Sequence, residues 1–221
     1  TGRVAILQKL TNTLLREDDL HVTVLLTAAP AEEIQDWRTA THAEAIATPL
    51  DEPQGRHLAA ADIVFQRGRR QAENGENTVI IVDSLSRLAR ACLAEITHTG
   101  RDISGIDAAA LLRIRQYMGS ARALEEGGSL TIITAFHGDT QSPLDTALLA
   151  EINESANWRV ELTQAHADRG VIPPIHIGRS GTQREDLLLT DTPKKERDNW
   201  RSKLTDDSLK NHKLLLAAAA R

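Results

Sequence analysis

Between Thr78 and Ala91 the sequence reads T-V-I-I-V-D-S-L-S-R-L-A-R-A, in which β-branched residues run into an acid and then into a helical repeat. Val79, Ile80, Ile81 and Val82 are consecutive rather than alternating, so both faces of this strand must be covered, as in the centre of a parallel sheet. Leu85, Leu88, Ala89 and Cys92 then recur at three and four residues, which lays one side of a helix on that sheet. Asp83 is left at the carboxyl end of the strand, where open α/β sheets bind their ligands. Two readings fit its carboxylate. As an N-cap it closes the following helix; as a Walker B acid it holds the water shell of a nucleotide-bound magnesium ion.

The rest of the chain repeats this alternation. A helix is expected from Arg3 to Arg16 through Ile6, Leu7, Leu10 and Leu14, and a buried strand from His21 to Thr27. Pro30 suits the first turn of a helix that buries Ile34 and Trp37, with Glu32 and Glu33 at the positive end of its dipole. A short strand, Ala45 to Thr48, leads into the polar loop Leu50 to His57. A long helix through Leu58, Ala61, Phe65 and Ala72 then stops at Asn74-Gly75. After Cys92, Thr97 to Gly105 carries two glycines and no period, and reads as a mobile loop. A helix from Asp107 through Tyr117 and Met118 is expected to reach Glu125, followed by an apolar strand from Ser129 to Phe136 and a second polar loop, His137 to Pro143. Further on, Trp158 to Leu162 and Val171 to Ile177 read as strands. The whole pattern implies right-handed βαβ crossovers and a mostly parallel sheet flanked by helices. We expect one domain over residues 1–190 and a C-terminal helical tail over 191–221.

Composition narrows the function. The formal net charge is −5, so nucleic acid would have to be held by local cations rather than by a basic surface. Cys92 is the single cysteine, which excludes an internal disulfide framework and fits a reducing cytoplasm. The apolar runs are far shorter than a membrane span, and no signal peptide precedes the first helix. Eight histidines occur without His-x-x-x-His spacing or a Cys/His cluster, which argues against a metal site, and most of them are expected at surface or turn positions. No Gly-x-Ser-x-Gly elbow supports a serine hydrolase. Gly178-Arg179-Ser180-Gly181-Thr182 taken alone is a glycine turn.

Four segments taken together carry a resemblance. L-D-E-P-Q-G-R-H-L at Leu50 to Leu58, V-D-S-L-S-R-L-A-R-A at Val82 to Ala91, G-S-A-R-A-L-E-E-G-G-S-L-T-I-I at Gly119 to Ile133, and R-S-G-T-Q-R-E-D-L-L at Arg179 to Leu188 resemble the ATPase domain of the Rho family of bacterial transcription termination factors. The match runs in unbroken order over residues 2 to 204. It implies a RecA-like fold, a ring of six subunits, ATP and Mg2+ between neighbours and RNA through the centre.

The resemblance also assigns positions. Asp83 falls on the magnesium-site aspartate, and Arg179 on the arginine that reaches the next subunit's ATP. Gly100-Arg101 falls on the Gly-Lys of the first pore loop, about one residue shorter here, so Arg101 keeps a charge for RNA phosphates. Ile172 stands where an aromatic packs on adenine. Gly2-Arg3-Val4 falls on the Gly-Lys-Thr that closes the phosphate loop. There arginine is not an equivalent ligand and valine has no oxygen for magnesium. Ala29 falls on the glutamate that positions the attacking water, and the second pore loop, Asp139 to Pro143, lacks the family's lysine. The implied function is a nucleotide- and RNA-binding ring subunit related to an ATP-dependent RNA helicase, with hydrolysis impaired. The alternative is a non-hydrolysing paralogue acting as scaffold or regulatory subunit.

Overall fold

The structure, a computed structural model, describes residues 2–95, 108–125, 127–138, 140, 142–188, 198–199, 202–205, 207, 209–212 and 214. The chain divides into two compact units, Val4–Ser155 and a second formed by Thr1–Arg3 with Ala156–Arg221.

The larger unit alternates helix and strand from the start. Helix α1 (Arg3–Leu14) leads to β1 (Leu20–Ala29), α2 (Ala31–Ala40), β2 (Glu44–Pro49), α3 (Gln54–Glu73), β3 (Asn77–Asp83) and α4 (Leu85–Glu95). After the segment 96–107, which contains the expected loop and lies outside the described residues, come α5 (Ala108–Met118), β4 (Arg122–Ala123), β5 (Ser129–Ala135) and α6 (Pro143–Ser155). The sheet order is β2-β1-β3-β5-β4, and every pairing is parallel except β4 with β5. The expected strand from Thr78 is thus central, and Val79 to Val82 are all buried, as an uninterrupted β-branched run requires. One face of the sheet packs Val22, Val24, Leu26, Val79 and Ile81 with Leu7 of α1 and Ile34 and Trp37 of α2. The other face receives α3 closely enough that a Cβ on Gly68 would stand 2.7 Å from Ile80 Cδ1. A side chain there would have to displace the Ile80 and Leu130 methyls, so glycine suits the close approach of helix to sheet.

Several local expectations need correction. Pro30 is the N-cap of α2 rather than a residue of its first turn. The polar loop ends at Pro53, because α3 begins at Gln54 and carries His57 inward. Helix α5 stops at Met118, where Ser120 Oγ donates to the Tyr117 carbonyl at 2.6 Å. Arg122 and Ala123 then cross to pair with β5. Among the histidines, expected mostly at the surface or in turns, His57, His166 and His212 are buried.

In the smaller unit, β6 (Trp158–Arg159) pairs antiparallel with β7 (Gly181–Thr182), with α7 (Gln164–Ala167), a 3-10 turn (Ile177–Arg179) and α8 (Glu185–Leu188) around them. The run Val171 to Ile177 is not a strand. It contains Pro173 and Pro174, which have no N–H to donate, and keeps only the bridge between Leu162 and Ile175. Most of the expected helical tail lies outside the described residues, and residues 209–212 are helical.

Candidate nucleotide site at the strand ends

Asp83 ends β3 directly between its neighbours, opposite Leu26 of β1 and Ala135 of β5, and is fully buried. The capping reading of this acid does not hold. Ser84, the next residue, supplies the side chain at the start of α4, its Oγ accepting the Arg87 N–H at 3.4 Å. Asp83 is therefore one residue outside the cap, at the position where a parallel sheet presents ligand-binding groups. One turn along α4, Arg87 donates two hydrogen bonds to Glu33 of α2, both 2.8 Å. The Glu33 carboxylate raises the pKa of this guanidinium against the opposing effect of burial, and the charge of Asp83 adds to the rise. A cation is thus fixed beside the acid by a bidentate fork.

The neighbouring strand end is less regular. Ala28 has φ 46, a left-handed conformation rare for a residue with a Cβ, and the register of β1 against β2 shifts between Leu26 and Ala29. Ala29 follows with no exposed surface. Its side chain offers no oxygen, and Glu33, in the helix that follows, is engaged by Arg87.

The remaining assigned positions divide between the two units. In the larger, Val4 packs against the core cluster rather than presenting a polar atom. In the smaller, Gly2 takes φ 75 just before α1, and a Cβ there would stand 3.7 Å from Pro174 Cδ, two residues beyond Ile172. Ile172 is 82% exposed. Arg3 begins α1, whose first N–H groups suit an anion. Arg179 is largely exposed at the end of the 3-10 turn, where its Nη1 donates to Glu161 Oε1 at 2.9 Å and its carbonyl receives Arg159. Gly100 and Arg101 lie outside the described residues.

Among the described residues no three His, Cys, Asp or Glu side chains are arranged to hold a metal ion. Magnesium would have to arrive with a nucleotide, whose phosphates and waters supply most of its oxygens, and Asp83 is the side chain that fits this use. Cys92 contributes no chemistry, since burial pushes its thiol up to about 12. Sequence reasoning missed Arg87, and it gave Glu33 only a helix-dipole role. The two stand 54 positions apart in sequence, so no local spacing announces their contact.

No family model matches the sequence. A transcription termination factor Rho from Streptosporangium roseum is 36% identical over 216 residues, which cover 97% of this chain and 56% of that protein. The chain is a homologue of transcription termination factor Rho. The Rho of Haemophilus influenzae is 37% identical over 191 residues, or 86% of this chain and 46% of its own length. The Rho of Borreliella burgdorferi is 37% identical over 192 residues, 86% of this chain and 37% of its own. This Rho homologue thus spans about half the length of the curated relatives it matches, or less. Among solved structures, one described as a prototypical ATPase from the type III secretion system of pathogenic bacteria superposes with TM-score 0.69. It is 19% identical and covers 82% of this chain and 54% of its own. That likeness establishes a RecA-like α/β fold for the Rho homologue.

Proposed function

We propose that this chain is a nucleotide- and RNA-binding subunit of a Rho-like termination ring, with residues 1–190 as its nucleotide-binding domain, and that it hydrolyses ATP very poorly. The observation that carries the reading is the contrast at adjacent strand ends, Asp83 present and Ala29 without an acid. ATP and Mg2+ would bind weakly, through Asp83, the backbone near Gly2-Arg3-Val4 and the apolar surface of Ile172. Arg179 would act on a nucleotide held by a neighbouring subunit, which makes a homo-hexamer or a ring with related subunits necessary. RNA would be held through Gly100-Arg101, in the cytoplasm alongside RNA polymerase. Membrane association is not part of the reading. Among the described residues no helix is long and apolar enough to cross a membrane.

Phosphoryl transfer is mainly positioning and electrostatics, so the loss of the phosphate-loop lysine, its hydroxyl neighbour and the water-orienting acid removes parts that act together. An arginine finger by itself is worth about 10³ to 10⁵ in rate, and the missing partners should cost a comparable factor. The test is RNA-stimulated phosphate release by the parent beside an Arg3→Lys, Val4→Thr, Ala29→Glu variant. The parent should be near background and the variant active; robust turnover by the parent would overturn the impaired-motor reading. The scaffold reading predicts ring assembly and salt-sensitive RNA binding by the parent without turnover.

A further inference from the structure

At the carboxyl end of β1, Leu26 pairs with Ala47 of β2, and the next pair is Ala29 with Pro49. Strand β1 has therefore advanced three residues while β2 has advanced two. The extra residue is taken up at Thr27–Ala28, where Ala28 turns to φ 46. An inserted residue of this kind reverses the faces of everything beyond it, so whatever holds the bulge decides where residue 29 points. The polar groups freed by the bulge must also find partners.

Thr48 of β2 provides them. Its Oγ1 accepts the Ala28 N–H at 3.3 Å and stands 3.4 Å from the Leu26 carbonyl, the two main-chain groups on either side of the extra residue. This hydroxyl is held in turn by His57 Nδ1 at 2.8 Å, the shortest of its contacts. His57 comes from the first turns of α3, is fully buried, and has the backbone and carboxylate of Glu52 as its other polar neighbours. A buried imidazole is an expensive way to fill space, and apolar residues already fill the remainder of that helix face. Its side-chain hydrogen bond to Thr48 leads to the bulge, and the bulge adjoins the strand end paired with Asp83.

We propose that His57 is a positioning residue: through Thr48 it fixes the bulge at the end of β1, and so the direction of residue 29 at the nucleotide site, the second part resting on the function proposed above. The frame that would present a side chain at position 29 is then intact although that side chain is alanine.

Two measurements separate the frame from its use. Amide exchange in the parent chain, read at Ala28 and at Ile81 in the central strand, is compared with His57→Phe, His57→Asn, Thr48→Val and Thr48→Ser. Losing one hydrogen bond should accelerate the Ala28 amide by about tenfold in the Phe and Val variants. Asn and Ser, which restore a polar atom in reach, should leave it near the parent value, and Ile81 should not follow. An unchanged Ala28 amide, or Ala28 and Ile81 accelerating together, overturns the clamp. The second measurement places His57→Phe in the Arg3→Lys, Val4→Thr, Ala29→Glu background. Misdirecting Glu at position 29 should lower kcat by up to about 100-fold with KM for ATP nearly unchanged, and His57→Asn should rescue it. An unaltered kcat overturns the positioning role. If that background has no turnover, the proposed function fails, and the exchange data alone decide the clamp.

Discussion

The carboxyl ends of β1 and β3 are neighbours in one sheet, Leu26 opposite Asp83, yet they are built in different ways. Strand β3 stays regular to its last residue and ends in a buried carboxylate, flanked by the Arg87 guanidinium that Glu33 holds. Strand β1 is broken by a bulge, supported by two polar side chains, and ends in an alanine. At β3 the candidate acid needs only the strand to place it, because the carboxyl ends of parallel strands are where such sheets bind ligands. At β1 direction has to be constructed, and the construction is present without a reactive group. A frame and the group it presents are separable, and the first can be read in backbone geometry when the second is absent.

The largest effect that would sharpen this contrast is stepwise repair. Ala29→Glu alone should barely raise phosphate release, because the parts of a phosphoryl-transfer site act as a unit. Adding Arg3→Lys and Val4→Thr should raise it by about 10³ or more over the parent. If Ala29→Glu alone gave the full gain, position 3 would already be competent and the phosphate loop would need another reading.

At the other strand end, Asp83→Asn should cut the magnesium-dependent part of nucleotide affinity about 10- to 100-fold, as loss of an outer-shell partner does. Fluorescent nucleotide titrated with and without Mg2+ reads this directly. Affinity unchanged by the substitution in both conditions would leave Asp83 as a core acid only and erase the difference between the two strands.

These strand ends were unequally legible in the sequence. The run Val79 to Val82 with Asp83 behind it announced a covered central strand, because burial on both faces leaves a continuous apolar signature. The alternation of strand and helix gave the parallel sheet for the same reason. The bulge at Ala28 left no such mark, since alanine gives no sign of a left-handed backbone and its partners Thr48 and His57 are far along the chain. Arg87 with Glu33 was hidden in the same way. Proline misled at Val171 to Ile177, where β-branched composition outweighed the missing donors. His57 looked like a loop residue because D-E-P-Q-G-R-H is polar throughout, and only the turn of α3 reveals that one member of that run points inward.

The charged pair beside Asp83 supplies the next test. Arg87 and Glu33 are mostly buried and joined by two hydrogen bonds, so a cycle of Arg87→Met, Glu33→Gln and the double variant should show a coupling of about 1–2 kcal/mol in urea unfolding. A coupling near zero would mean that α2 and α4 are positioned by packing alone.

The β1 frame should show itself in pH. Burial holds the His57 pKa below its usual value, against a smaller opposing pull from Glu52. In the unfolded chain the imidazole takes up its proton near pH 6.5, while in the folded chain it stays neutral to lower pH. Below that point the unfolded state binds more protons, so the stability contributed by neutral His57 is complete above about pH 6.5 and falls as pH drops through the interval between the two values. Urea midpoints followed from neutral to mildly acid pH should decline more steeply in the parent than in His57→Asn. Parallel lines would show that the His57 imidazole is charged, or open to solvent, when folded.

The smallest expected effect separates two adjacent residues of the same strand end. A left-handed residue bearing a Cβ costs about 1–2 kcal/mol, and replacing it with glycine returns about 0.5–1 kcal/mol as extra freedom in the unfolded chain. For Ala28, at φ 46, the difference should leave Ala28→Gly more stable than the parent by about 0.5 kcal/mol. Ala29 lies in ordinary strand conformation with no exposed surface, so Ala29→Gly has only the entropic cost and a lost methyl contact, and should be less stable by about 1 kcal/mol or more. Opposite signs at neighbouring alanines are what a bulge confined to Ala28 requires. Urea midpoints at an unchanged m-value would report both. If both glycine variants were destabilised, the backbone of β1 would run regularly to its end, and the contrast with β3 would reduce to the identity of one side chain.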